Sequence, residues 1–254
     1  MWRVELAGGG VAALKQVSRA ALHERDAGEA FLNWRSGHGA LRLLASSGDL
    51  SLLEWAGETT LHQQLLRQGE DAATAIAADV VRRLHAPSSA LPPSTLISLR
   101  EHFAGLFAAA GDGAPEAYRT HLRETAALAD RLLASQRNVK PLHGDIHHDN
   151  MLCGARGWLA IDPKGLLGDP AYDVANMFQN PVDYGLRGDA RRILRLAEAM
   201  AEAVEREVET VLEYALAYSG LSIAWWLEDG NEEAATSTLD IGSAIAEVLR
   251  QVRS

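Results

Sequence analysis

Leu142-His143-Gly144-Asp145-Ile146-His147-His148-Asp149-Asn150, followed after a short turn by Gly157-Trp158-Leu159-Ala160-Ile161-Asp162-Pro163-Lys164-Gly165, is the stretch on which the fold of this 254-residue chain turns. Asp145 and Asn150 stand five positions apart, and Asp162 follows twelve further on. In a loop that leads into a strand hairpin, this spacing can bring one carboxylate to a hydroxyl while an amide oxygen and a second carboxylate face a hard cation. Such oxygen donors suit magnesium and leave it room for phosphates and waters. The histidines His143, His147 and His148, with Asp145 between them and Asp149 directly after, also admit a transition-metal site, although H-x-x-x-H-H-D is not one of the usual zinc spacings.

Working outward, Trp2 to Leu6 and Val11 to Val17 have apolar positions near period two and flank Gly8-Gly9-Gly10, which predicts a hairpin. The glycines make its turn. From Ala20 to Arg35 the period becomes helical, Gly37-His38-Gly39 stops it, and two short apolar runs follow at Ala40 to Ala45 and Leu50 to Trp55. Beyond Gly57 the pattern is mainly helical: one long helix from Thr60 to His85 ended by Pro87, a linker from Ala86 to Ser94, and helices over Thr95 to Ala110 and Pro115 to Ser135. Periodicity breaks at Lys140-Pro141, where the opening stretch begins, and resumes as helix from Asp189 to the end. The expected class is α+β, with a small mixed antiparallel-sheet part and a larger helical part that meet near Ala56.

Composition narrows the possibilities further. With 47% hydrophobic and 23% charged residues the chain is an ordinary globular protein. No window holds eighteen consecutive apolar residues, and Met1-Trp2-Arg3-Val4-Glu5 lacks the basic-then-apolar pattern of a leader, so the expected location is the cytoplasm, with no membrane partner. The single cysteine, Cys153, cannot form an internal disulfide and reads as a packing residue. The balance of 24 basic against 34 acidic residues, net −10, argues against a nucleic-acid partner and is compatible with a cationic small ligand.

His143-Gly144-Asp145 with Asn150, then Ile161-Asp162, resembles the catalytic loop of the aminoglycoside phosphotransferase family, and the wording from Leu142 to Gly165 is similar to its streptomycin 6-phosphotransferase and hydroxyurea phosphotransferase branch. The resemblance implies a two-lobed, protein-kinase-like fold. Residues 1–56 would be the nucleotide-binding lobe and 57–254 the helical lobe with the catalytic loop and substrate site. It implies ATP and Mg²⁺ as cofactors, Asp145 as the catalytic base, and Asn150 and Asp162 as metal ligands. Lys15 would contact the nucleotide phosphates, held by Glu29 on the following helix, with Glu24 the competing candidate. Glu54, Trp55 and Ala56 match the segment whose backbone meets adenine; Asp173 and His143 match supporting groups. On this alignment Trp2 to Leu6 corresponds to the family's second strand, and the first strand and the loop over the phosphates are absent. The acceptor implied is a small, cationic aminoglycoside of the streptomycin type, or hydroxyurea. A metabolite kinase acting on a sugar or amino alcohol and a non-catalytic nucleotide-binding pseudokinase are the alternatives.

Overall fold

The computed structural model describes residues 1–111 and 113–254, and within it the period-two segments form strands as their pattern dictates. β1 (Trp2–Glu5) and β2 (Val11–Gln16) pair antiparallel, with Gly9 and Gly10 at φ 85° and 95° in the turn, a region that residues with a Cβ avoid. β3 (Leu43–Ser47) and β4 (Leu50–Glu54) complete a four-stranded sheet ordered β1-β2-β4-β3. The register sets Lys15 directly opposite Ser51. The strand expected at Ala40 to Ala45 starts later. Ala40 and Leu41 are buried, but Ala160 holds them, through a bridge to Ala40 and a bond from the Leu41 N–H to the Ala160 carbonyl at 3.0 Å.

α1 (Leu22–Arg35) follows a 3-10 turn and buries Ala27, Gly28, Phe31 and Leu32. Ser36, left-handed at φ 49°, ends it. β5 (Thr59–Thr60) leads into α2 (Leu61–Gln68), whose first turn is closed by reciprocal bonds between Thr60 and Gln63. The single helix expected from Thr60 to His85 is in fact two. Gly69 sits at φ 84°, outside helical space, and α3 (Glu70–His85) restarts with Glu70 and Asp71 on its positive N-terminal end. The apolar pattern continues across the break because both helices face the same core; periodicity alone hides it.

The expected helix from Thr95 to Ala110 is also divided, into β6 (Ile97–Ser98), α4 (Leu99–His102, capped by Ser98) and α5 (Ala104–Ala109), separated at the fully buried Phe103. α6 (Glu116–Ala134) matches the predicted helix closely. Past β7 (Lys140–Leu142), β8 (Met151–Gly154) and β9 (Gly157–Ala160) form the hairpin of the opening stretch, and β5 adds to it in the order β5-β8-β9. After β10 (Leu166–Gly168) the chain continues into the short α7 (Pro170–Asp173) and three long helices, α8 (Ala190–Val204), α9 (Val208–Glu228) and α10 (Glu232–Val252).

By packing, the chain divides into one unit of Met1–Ile97 with Lys140–Leu167, and a second of Ser98–Val139 with Gly168–Ser254. In the second, α9 is buried along most of its length. Gly220 lets it approach α6 so closely that a Cβ there would lie 2.0 Å from Thr125 Oγ1. Among the described residues no helix is long and apolar enough to cross a membrane.

Candidate active site

The first unit carries the residues that the sequence nominates for catalysis, nucleotide and metal; Asp173, nominated as a supporting group, is buried at the end of α7 in the second unit. The catalytic set centres on a loop with no freedom at Gly144, which has φ 84° and whose absent Cβ would stand 2.6 Å from Leu166 Cγ. Only glycine fits there. His143 is fully buried, edge-on to Phe31, and its Nε2 lies 2.9 Å from the Ile161 carbonyl while its Nδ1 lies 3.3 Å from the Asp145 N–H. Those partners assign the neutral tautomer with the proton on Nε2. The Lys164 N–H in turn donates to the His143 carbonyl at 2.8 Å. His143 thus ties Asp145 to the Ile161–Lys164 segment, the orienting part expected of it.

Asn150 closes the loop from the other side. Its side-chain amide nitrogen donates to the Asp145 backbone carbonyl at 3.0 Å and to the Asp145 carboxylate at 3.2 Å, and its backbone carbonyl accepts from the Ile161 N–H at 2.9 Å. With that nitrogen engaged, Oδ1 is the atom of the side chain suited to face a cation. Just past β9, Asp162 has a left-handed backbone at φ 57°, a conformation aspartate tolerates better than most residues. Its carboxylate pairs with Lys15 on β2. Lys15, Glu24, Arg25, Asp145, Asp162 and Lys164 line one pocket of about 120 Å³.

Backbone contact brings α1 against this loop. A Cβ on Gly28 would meet the Pro163 carbonyl oxygen at 2.3 Å, and one on Gly165 the Ala27 carbonyl oxygen at 2.1 Å. α1 also carries Glu29, but the Lys15–Glu29 pair implied by the resemblance is not formed. Glu29 accepts from Ser51 and faces Arg25 Nε at 3.8 Å, while Lys15 reaches Asp162. Register explains the proximity: Ser51 is Lys15's cross-strand neighbour, so Glu29 approaches the spot where Lys15 emerges without contacting its ammonium. Glu24, the competing candidate, lines the pocket itself.

Glu54, Trp55 and Ala56 are not among the residues that line that pocket. The Glu54 carboxylate is gripped by Arg156, from the turn between β8 and β9, through two bonds of 2.6 Å, and accepts from the Arg42 N–H at 3.0 Å. Arg156 also donates to the Gly37 and Ala40 carbonyls. Burial pushes the Glu54 carboxyl up, but the Arg156 bonds, the Arg42 N–H and both positive charges outweigh it and hold the group below the usual carboxylate range. The Arg156 guanidinium is pushed up, chiefly by its bonds to Glu54. Arg3 lies over the Trp55 ring at 5.7 Å, and the Ala56 carbonyl lies against Gly154. Sequence reasoning missed Arg156, whose place in a polar turn gives no signal of its partner. Lys164, two residues beyond a metal-ligand candidate, also lines the pocket, a place its sequence neighbourhood alone did not assign.

The donor set fits magnesium: one carboxylate and one amide oxygen, both hard, at positions locked by the loop's hydrogen bonds. Among the described residues no group of three or more His, Cys, Asp or Glu side chains converges on a metal site. His147 Nδ1 instead accepts from the Asp149 N–H, and Asp149 faces His62 at 3.4 Å.

Comparison with solved structures defines the fold first. The fold is that of small-molecule kinases: the ethanolamine kinase of Plasmodium vivax superposes with a TM-score of 0.66 over 98% of this chain and 80% of its own, at 13% identity. Sequence then gives the family. The chain belongs to the aminoglycoside/hydroxyurea antibiotic resistance kinase family, whose profile matches residues 1–230. It is 39% identical to the streptomycin 3''-kinase of Klebsiella pneumoniae over 247 residues, 94% of this chain and 89% of the relative, and 30% identical to the streptomycin 6-kinase of Streptomyces griseus over 221 residues, 83% and 69%. The protein is therefore a phosphotransferase, and membership implies ATP as its phosphoryl donor.

Proposed function

We propose that this kinase transfers the γ-phosphoryl group of ATP to a hydroxyl of a streptomycin-type aminoglycoside, with Asp145 as the base. The carrying observation is the cross-bonded loop in which Asn150 and His143 fix Asp145 while Lys15 and Asp162 meet in the same pocket. In that arrangement Asp145 accepts or orients the acceptor's proton as the oxygen–phosphorus bond forms. Lys15 holds the non-transferred phosphates. Asn150 and Asp162 would hold Mg²⁺, which when bound offsets negative charge on the phosphate oxygens. Glu29 steadies β4, the strand paired with the Lys15 strand, through Ser51, and Glu54 to Ala56 meet the adenine, with Arg156 fixing that segment. The nucleotide part is assigned to residues 1–56 and the acceptor-bearing part to 57–254, a division of roles rather than of packing.

The acceptor assignment draws on the 39% identity to a streptomycin 3''-kinase across most of both chains, which favours the 3'' hydroxyl over the 6 position of the more distant relative. The net charge of −10 suits a polycation, and a cytoplasmic location suits an ATP-dependent reaction. The test is ADP release with streptomycin, other aminoglycosides, hydroxyurea and simple metabolite alcohols, and phosphorus NMR of the product. Streptomycin-dependent release with phosphate at the 3'' oxygen is expected. Release with hydroxyurea or a metabolite alcohol alone would overturn the acceptor.

A further inference from the structure

Lys164 takes no part in the chemistry derived so far, yet its backbone is held against the loop that carries Asp145. Its N–H is bonded to the His143 carbonyl at 2.8 Å, and its Cβ lies where a side chain on Gly144 would come within 3.3 Å. The lysine backbone is therefore fixed against the two residues that precede Asp145. Next to it, Gly165 is pressed on the Ala27 carbonyl of α1, which removes the segment's remaining freedom. The half-buried Lys164 lines the pocket that Lys15, Asp145 and Asp162 share.

The two lysines reach that pocket from different elements. Lys15 comes from the sheet and contacts Asp162, the metal-ligand candidate; Lys164 comes from the catalytic loop's own backbone ladder and travels with Asp145. Phosphoryl transfer develops charge on the equatorial oxygens of the group in flight, between the base and the leaving group, and fixed cations there lower the barrier most. We propose that Lys164 is a further catalytic residue, whose ammonium contacts the transferring γ-phosphoryl group. This rests on the kinase site proposed above. In the step, the bond from the γ-phosphorus to the β–γ bridging oxygen breaks, the bond to the acceptor oxygen forms, the acceptor proton passes to Asp145, and ADP leaves. Lys164 keeps its proton throughout and supplies charge only.

Contact with the γ-phosphoryl predicts a discrimination that a structural lysine would not show. In Lys164→Met, which keeps the apolar stem, kcat should fall about 100-fold. Affinity for a non-hydrolysable ATP analogue with Mg²⁺, measured by calorimetry, should fall about tenfold while affinity for ADP stays within twofold. Lys164→Arg should recover most of the analogue affinity. Equal loss of analogue and ADP affinity together with a lowered melting temperature would overturn the proposal in favour of a structural role. Unchanged binding of both, with a shifted pH profile of kcat, would overturn it in favour of a lysine that only tunes Asp145. The binding comparison needs no acceptor. If wild-type protein releases no ADP with any acceptor yet still prefers the analogue through Lys164, the acceptor assignment fails and the Lys164 contact stands.

Discussion

Asp162 illustrates how one residue can be chosen for both backbone and side chain. At φ 57° it occupies a region that costs most residues about 1 kcal/mol and that aspartate and asparagine enter more readily. Asp162→Asn should therefore melt near the wild-type temperature but lose magnesium-dependent ATP affinity, whereas Asp162→Ala should lose both; differential scanning calorimetry with and without Mg-ATP separates the two. A different residue governs pH behaviour. His121 on α6 is half-buried with its Nε2 2.8 Å from Ser219 Oγ, and the loss of water around it pushes its imidazole down to about 4. The unfolded chain binds a proton near 6.5 and the folded one only near 4, so between these values the unfolded state holds more protons and stability falls as pH falls. The loss is largest below pH 4 and absent above 6.5, on the order of 3 kcal/mol in total. His121→Gln should flatten the decline in chemical denaturation midpoints between pH 6.5 and 4; an unchanged slope would place its origin elsewhere.

At the scale of elements, two devices hold the catalytic segment to the rest of its unit. One is the backbone contact of α1 with Pro163 and Gly165. Gly28→Ala would gain about 1 kcal/mol of helix propensity in isolation, but its Cβ would stand 2.3 Å from a carbonyl oxygen that cannot rotate away. The contact wins: the substitution should lower both stability and, by roughly tenfold, kcat, because Asp162 moves with the loop. The other device is the Arg156–Glu54 clamp between the end of β4 and the β8–β9 turn. Arg156→Ala leaves a half-buried carboxylate without its main partner and should cost about 1–3 kcal/mol while raising KM for ATP several-fold. Adding Glu54→Gln should restore stability more than KM, as a double-mutant cycle would report. Neither device was legible in the sequence. A glycine within a helical pattern and an arginine in a polar turn look like ordinary surface choices until the partner strand or loop is known. The β1–β2 hairpin, α1 and α6 were legible because each has a single unbroken period. The breaks at Gly69 and Phe103 were not, since the apolar faces on either side continue the same stripe.

For the molecule as a whole, the stretch proposed to carry the chemistry was legible because phosphoryl transfer asks for set residue types at set spacings, and Asp145, Asn150 and Asp162 lie close together in space. The partner that Lys15 takes, Asp162 and not Glu29, was not legible, because it depends on how far a long side chain reaches across a sheet rather than on sequence distance. The net charge of −10 has its own consequence. A polycationic acceptor is attracted by that field and the attraction is screened by salt, so KM for streptomycin should rise as ionic strength goes from about 0.05 to 0.5 M, while a neutral acceptor's KM stays level. The central claim is that Asp145 activates the acceptor in an ATP-dependent transfer. It is tested most directly by streptomycin-stimulated ADP release, in the presence of magnesium, from wild-type protein and from Asp145→Asn with matched melting temperatures. The account predicts release from the wild type and a fall of at least about 1,000-fold in the variant. Equal rates in the two proteins would contradict it.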